Sequence, residues 1–370
     1  MIKVLFLIHD LGHGGAEKVL INLVNNMDRT KFDITVMALF GGGINEQFLS
    51  KDIRLIHCYE KTMRGNSHIM KLLTPAQLHR LYIKEHYDIE VAYLEGPAVR
   101  IISGCPHADT KLVSWVHCTM HSQREFSRSF RSNQEARTCY RKFHESVFVS
   151  QEVMEAFQRC CPVKNGIVLY NTNESDKILA MAEETVPEEL FRRDEINLIG
   201  VGKIEEVKGF DRLARIHKRL REEGYPVHTY ILGEGSKKAE ISAFLEAENL
   251  SGSFTFLGYQ VNPYKFVKRS DIFVCSSHSE GFSTAATEAL ILGTPVVTTL
   301  VSGMKEMLGE NNQWGVVTEN NEDSLYRGIK GLLDDPKHLA QYKEKAVHRG
   351  KMFHTEHTVE AVERFLGERK

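Results

Sequence analysis

Cys275-Ser276-Ser277-His278-Ser279-Glu280-Gly281-Phe282-Ser283-Thr284-Ala285-Ala286-Thr287-Glu288-Ala289-Leu290-Ile291-Leu292-Gly293-Thr294-Pro295 is the stretch from which the rest of the chain is best read. The apolar residues Ile272 to Cys275 predict a buried strand, the polar residues around Gly281 a loop, and Ser283 to Leu292 a helix. Loops that lead from a parallel strand into a helix lie at the carboxyl edge of the sheet, where ligands bind in open α/β folds. At such a helix start the N–H groups of Phe282, Ser283 and Thr284 would offer a site for an anion or a hydroxyl. Glu280 precedes the helix and Glu288 lies within it, so the two carboxylates can serve different parts of one extended ligand.

The same alternation recurs on either side. Ile196 to Val201, Val227 to Leu232, Phe254 to Leu257 and Pro295 to Thr298 read as strands, with helices at Phe210 to Arg221 and Lys237 to Glu248. In the first half, Lys3 to Ile8 reads as a strand. Gly12-His13-Gly14-Gly15 follows it, and then Ala16, Val19, Leu20, Leu23, Val24 and Met27 at helical spacing. Further strands are expected at Asp33 to Leu39, Ile89 to Tyr93, Leu112 to Val116 and Ser146 to Val149. Strands alternating with helices predict parallel α/β architecture, here restarting near residue 195. The polar, acid-rich residues 173 to 194 read as a linker between domains 1–172 and 173–350. Val359, Val362, Phe365 and Leu366 share one face of a terminal helix that should dock.

Composition bounds the rest. A chain of 370 residues, 42% hydrophobic and 26% charged, can build two ordinary cores. No apolar run approaches the ~20 residues that span a bilayer, and the short N-terminal run reads as a first strand, not a signal peptide. Seven cysteines without C-x-x-C spacing suit reduced thiols in a cytoplasmic protein. A formal net charge of -2 argues against general nucleic-acid binding. Residues 1–172 nevertheless hold 21 basic and 17 acidic side chains, so the first half is the basic one.

Glu280-x7-Glu288, with Gly-Phe after the first Glu and Ala-Leu after the second, resembles the donor-site motif of the family-4 retaining glycosyltransferases. The resemblance covers nearly the whole chain. It implies the GT-B fold, an α/β architecture of two Rossmann-like domains facing across a deep cleft, with the helix at 351–370 returning to the first domain. Gly14-Gly15-Ala16-Glu17-Lys18 is similar to the family's N-terminal glycine-rich loop, which approaches the donor diphosphate and the acceptor. Glycine there lets backbone reach a phosphate. Gly202-Lys203 and Lys208-Gly209 look like its diphosphate-binding segment, two cations five residues apart. Lys203 stands where Arg is frequent, which keeps the charge and loses the bidentate fork.

Leu232-Gly233-Glu234-Gly235 and Leu257-Gly258-Tyr259 resemble loops that border the nucleotide base, and Ser302 to Glu306 a loop near the sugar diphosphate. His117, after Trp115-Val116, aligns with the family histidine set against the donor sugar. The resemblance thus implies Glu280, His117, Lys203 and Lys208 as catalytic residues. It implies Gly14, Gly15, Gly202, Gly258, Tyr259, Gly281, Phe282, Ser283, Thr284 and Glu288 as donor-binding ones.

No Asp-x-Asp occurs, and the 17 histidines show no H-E-x-x-H spacing, so no metal is expected. The lysines and helix N-termini would then balance the leaving diphosphate. No cofactor is expected, since the nucleotide sugar is a substrate. Between 121 and 142, Arg124, Arg128, Arg131, Arg137, Arg141 and Lys142 are interleaved with Phe126, Phe130 and Tyr140. Such a stretch suits peripheral contact with the inner face of a membrane and a lipid-linked acceptor. The implied reaction moves a sugar from a nucleotide sugar, such as a UDP-sugar, to an acceptor hydroxyl in polysaccharide or glycolipid assembly. The alternatives are a sugar-nucleotide epimerase on the same fold and a non-catalytic partner of another transferase. An NAD-dependent oxidoreductase is disfavoured, because Glu17 stands at the third glycine position of G-x-G-x-x-G.

Overall fold

The computed structural model describes residues 1–12, 14–61, 70–120, 122–187, 190–192 and 194–368. The chain divides into two compact units, 1–173 with 355–370, and 174–354.

In the first unit, strands β1 (Ile2–Ile8), β2 (Phe32–Phe40), β3 (Arg54–Tyr59), β4 (Ile89–Tyr93), β5 (Lys111–Val116), β6 (Glu145–Phe148) and β7 (Gly166–Val168) form a parallel sheet. Their spatial order is β3-β2-β1-β4-β5-β6-β7. The central strands read as unbroken apolar runs because helices cover both faces of a parallel sheet. Val4, Leu5, Phe6, Leu7 and Ile8 of β1 are all fully buried.

The second unit repeats the plan with β8 (Ile196–Val201), β9 (Val227–Leu232), β10 (Phe254–Gly258), β11 (Ile272–Cys275), β12 (Val296–Thr299) and β13 (Val316–Thr318). Their order is β10-β9-β8-β11-β12-β13, again all parallel. The helix Phe210–Glu222 buries Phe210, Leu213, Ile216 and Leu220, and the helix Glu322–Asp334 buries Leu325, Ile329 and Leu332, in one core with Leu198 and Val274. Each such side chain contributes roughly 1.5–3 kcal/mol on burial.

Three strands, β3, β7 and β13, are absent from the sequence-based expectations, and each lies at a sheet edge. Edge strands are covered less completely, so Gly166-Ile167-Val168 stays largely exposed and carries no long apolar run. The residues expected as a linker contain the helix Ser175–Ala182, which buries Ile178 and Ala182 within the second unit. Met181 O accepts from Asn262 Nδ2 at 2.8 Å. Its short apolar face is hard to see among acids in sequence.

The terminal helix Thr355–Gly367 belongs to the first unit and buries Val359, Val362, Phe365 and Leu366. There Lys111 Nζ donates to Phe365 O at 3.0 Å and the Asp28 N–H donates to Glu363 at 2.5 Å. Residues 369 and 370 lie outside the described residues. Among the described residues, no helix is long and apolar enough to cross a membrane.

Both sheets reverse strand order beside their first strand, between β1 and β4 and between β8 and β11. Loops leaving those strands splay apart at the carboxyl edge, which opens a crevice there. Gly14, Gly202, Lys203 and the Glu280 loop follow β1, β8 and β11, whereas His117 follows β5 and Gly258 ends β10.

Candidate functional site

In the second unit, the loop after β8 runs through Gly202 and Lys203, pins Ile204 in the core, and ends in a short turn, Glu206–Lys208. Gly209 then takes φ +61°, and a Cβ on it would lie 2.2 Å from Ser276 O. Only glycine allows this approach of the β8 loop to the β11 loop. Hydrogen bonds lace the two together: Ser276 Oγ donates to Lys208 O at 2.9 Å, and the His278 N–H to Val207 O at 2.8 Å.

That approach brings together two residues expected in the site. Lys208 Nζ donates to Glu280 Oε1 at 2.5 Å, and Ser277 Oγ donates to the same oxygen at 2.6 Å. The Glu280 side chain is 12% exposed and that of Lys208 27%, so each reaches the surface without being fully solvated. Such charge-assisted bonds are stronger than neutral ones.

Gly281 and Phe282 continue the loop. Gly303 takes φ +78° with its Cβ position 2.6 Å from the Phe282 ring, so the Ser302-Gly303 loop abuts them. Ser283 caps the helix Thr284–Ile291 by accepting from the Ala286 N–H at 3.3 Å. Glu288 lies on that helix, 6% exposed, and accepts from Tyr264 Oη at 3.4 Å. The two carboxylates therefore have different surroundings.

Lys203 is exposed on the loop that follows β8. Gly202 borders Gly233, whose Cβ position lies 1.9 Å from Gly202 O. Gly258 ends β10 and Tyr259 is 60% exposed beside it.

Sequence reading missed Arg212. It is 4% exposed in the first turn of Phe210–Glu222, donates to Asn320 Oδ1 at 2.9 Å and lies against His278 Nε2 at 3.0 Å. Burial lowers the basicity of both Arg212 and His278. Asn320 Nδ2 in turn donates to His278 O at 3.0 Å, so this group props the loop that carries Glu280. The signal available was an arginine on the apolar face beside Phe210 and Leu213.

In the first unit, Gly14 caps the helix Gly15–Asn26, and a Cβ on Gly14 would meet Glu17 Oε2 at 1.9 Å. His13 lies outside the described residues. His117 follows β5, 7% exposed, with its ring 4.7 Å from that of Tyr93. Its Nε2 is buried and has no hydrogen-bond partner among the described residues. Burial lowers its pKa to about 3, so the imidazole is neutral at physiological pH. A buried, unpaired ring nitrogen costs free energy unless something pairs with it.

The basic stretch is split. Phe126, Phe130 and Tyr140 are buried at 3%, 3% and 1% exposure, with Phe126 stacked on Tyr140, both edge-on to Phe157 and Phe130 tilted against Tyr140, so these aromatics do not face outward as interleaving suggested. They instead form the core under the short helices Gln123–Phe126 and Asn133–Tyr140. Arg124, Arg128, Arg131, Arg141 and Lys142 are exposed and Arg137 half-buried, while His121 lies outside the described residues.

Known proteins resemble this chain in sequence and in fold. The chain is 27% identical over 369 residues to N-acetylgalactosamine-N,N'-diacetylbacillosaminyl-diphospho-undecaprenol 4-alpha-N-acetylgalactosaminyltransferase of Campylobacter jejuni, covering 95% of this chain and 96% of that one. An uncharacterized glycosyltransferase of Haemophilus influenzae is 21% identical over 358 residues, 94% of each. Anabaena HepE, solved in complex with UDP and glucose, superposes with a TM-score of 0.80 at 19% identity over the full length of both chains. That likeness shows the fold, two α/β units of the GT-B type. The profile of Glycosyltransferase Family 4 matches residues 13–172 and that of Glycosyl transferases group 1 matches residues 181–349. With both of its units matched, the chain belongs to the family-4 glycosyltransferases.

Proposed function

We propose that the protein is a retaining glycosyltransferase that moves a sugar from a nucleotide sugar, of the UDP class, to an acceptor hydroxyl in cell-surface glycan assembly. The observation that carries this reading is the Lys208–Glu280 pair, with Ser277, at the switch point between β8 and β11. A cation beside a carboxylate at that edge fits a donor whose diphosphate and sugar lie side by side. The relatives support the substrate class: one is named for a diphospho-undecaprenol substrate, and HepE was solved with UDP and glucose.

The roles follow from the surroundings. Lys208, with Lys203 nearby in sequence, balances the charge of the leaving diphosphate, and no metal is required. The loop N–H groups from Gly281 to Thr284 and the Glu280 carboxylate hold sugar hydroxyls, and Glu288 holds the ribose. In the second unit Gly202 leaves the β8 loop open to phosphate, and Gly258 and Tyr259 border the base; in the first, Gly14 and Gly15 leave backbone accessible to a substrate phosphate. His117 offers a neutral imidazole to a sugar oxygen. No carboxylate is assigned as a nucleophile below the sugar. The departing diphosphate itself then takes the acceptor proton, so the acceptor oxygen forms its new bond on the face the diphosphate leaves. This is the basis of retention. The exposed arginines near 124–142 draw the protein to an anionic, lipid-linked acceptor.

The test is turnover of UDP-glucose, UDP-N-acetylglucosamine and UDP-N-acetylgalactosamine with lipid-diphosphate acceptors, the anomeric configuration of the product being read by NMR. Transfer with the donor's α-configuration kept is expected. An inverted product overturns the retaining assignment, and release of a free epimerised sugar nucleotide overturns the transferase reading in favour of an epimerase.

A further inference from the structure

β4 ends in a contorted turn. Leu94, a non-glycine residue, takes φ +102° and Gly96 takes φ +99°, with Glu95 between them. Positive φ at a branched, bulky residue is strained, and such strain persists only where the surroundings impose it. Gly96 is also crowded, since a Cβ there would lie 2.8 Å from Ser129 Oγ.

The turn aims Glu95 at the end of the neighbouring strand. Its Oε1 accepts the His117 N–H at 2.5 Å and the Cys118 N–H at 2.6 Å. These donors belong to the segment just past β5, where no further ladder bond can satisfy them. Burial pushes the Glu95 carboxyl upward, and the Cys118 and His117 N–H groups pull it back. The same segment carries the His117 ring, whose buried Nε2 has no partner among the described residues and which lies against the rings of Tyr93 and Trp115. Those aromatic contacts set the tilt of the ring but not the height of its backbone, which the Glu95 carboxylate fixes. The two strands concerned are adjacent in register, Tyr93 opposite Trp115, so a small shift in the 117–118 segment moves the ring directly.

We propose that Glu95 is a positioning residue of the first unit, holding the 117–118 turn so that His117 Nε2 is presented to a substrate oxygen. This rests on the role given to His117 above. Glu95 itself touches neither donor nor acceptor in this scheme.

A double-mutant cycle on the full chain tests it, using the UDP-sugar turned over fastest by the wild type and calorimetry with UDP. Glu95→Ala should lower kcat about 10- to 100-fold, as should His117→Ala. The double variant should lose no more than His117→Ala alone. UDP should bind all three as it binds the wild type. Glu95→Gln keeps an oxygen that accepts both N–H groups, so it should recover kcat to within about threefold and control for folding. Losses that multiply in the double variant overturn the proposal, as does a UDP affinity that falls with kcat or a Glu95→Ala enzyme of wild-type rate. Full activity in His117→Ala instead removes the role assigned to His117, a separate failure visible in that single variant.

Discussion

Lys208 Nζ stands 2.5 Å from Glu280 Oε1, joining two loops that are 72 residues apart in sequence. Glycine at 209 and the Ser276 hydroxyl bring the loops to this distance. In the proposed reaction the cation turns to the diphosphate while the carboxylate turns to the sugar, so the pair divides its two charges between the two halves of one donor.

The two carboxylates should therefore behave differently. Glu280→Gln should chiefly lower kcat, since a charge-assisted hydrogen bond that strengthens in the transition state is worth on the order of 1.5–3 kcal/mol, roughly ten- to hundred-fold in rate. Its Kd for UDP should not rise, because Lys208 is left to the phosphates. Glu288→Gln should raise donor KM and the Kd for UDP together, as expected of lost uniform binding. Calorimetry on both variants reads this directly, and equal losses of UDP affinity would show the roles to be wrongly divided.

Transfer should persist in excess EDTA. Lysine charge is assigned to the leaving diphosphate, so chelation has nothing essential to remove. The measurement is initial rate with and without EDTA, then with Mg2+ or Mn2+ added back; loss in EDTA with recovery on metal addition would contradict the assignment.

Stability should fall on acidification through histidines buried in neutral form. Burial lowers the pKa of His117 and of His217 to about 3 from an ordinary 6.5. His217 is wholly buried and hydrogen-bonded to Thr229 Oγ1 and Ser253 Oγ, both at 2.9 Å. Between pH 6.5 and 3 the unfolded chain binds protons that the folded chain refuses, so stability present above pH 6.5 is lost as pH drops. Each histidine contributes up to about 1.4 kcal/mol per pH unit in that window. Denaturant melts at pH 7, 6 and 5 should show this slope, and His217→Gln should flatten it. An unchanged slope in that variant would mean His217 is protonated when folded.

Binding to lipid should be electrostatic only. Phe126, Phe130 and Tyr140 are committed to the core, leaving exposed arginines to act. Co-sedimentation should favour vesicles containing phosphatidylglycerol over neutral ones and vanish in 0.5 M salt, since the Debye length is then only about 4 Å. Arg124→Glu with Arg128→Glu should abolish it. Equal recovery with neutral vesicles would leave these residues as an ordinary solvated surface.

Much of the fold is legible in local pattern. The bounds expected for β4, β8, β9 and β11 agree with the structure to the residue, because a strand buried on both faces has to be apolar along its length. The edge strands β3, β7 and β13 escape notice for the converse reason. Ser175–Ala182 was obscured by the charged residues around it, though Ile178 and Ala182 mark its buried face.

By itself the sequence determined the succession of the buried strands and the helices between them, the glycines at the loop starts and the Glu280-x7-Glu288 spacing, since each depends on residues within a turn or two. Only the tertiary structure decided that Lys208 meets Glu280, that Arg212 props the loop beneath them, and that Glu95 holds the segment carrying His117. It alone decided that the aromatics of the basic stretch turn inward and that His117 is neutral. Periodicity reports which face of an element is apolar. Which polar side chains then meet, and how far each is removed from water, depends on how loops from different strands close on one another.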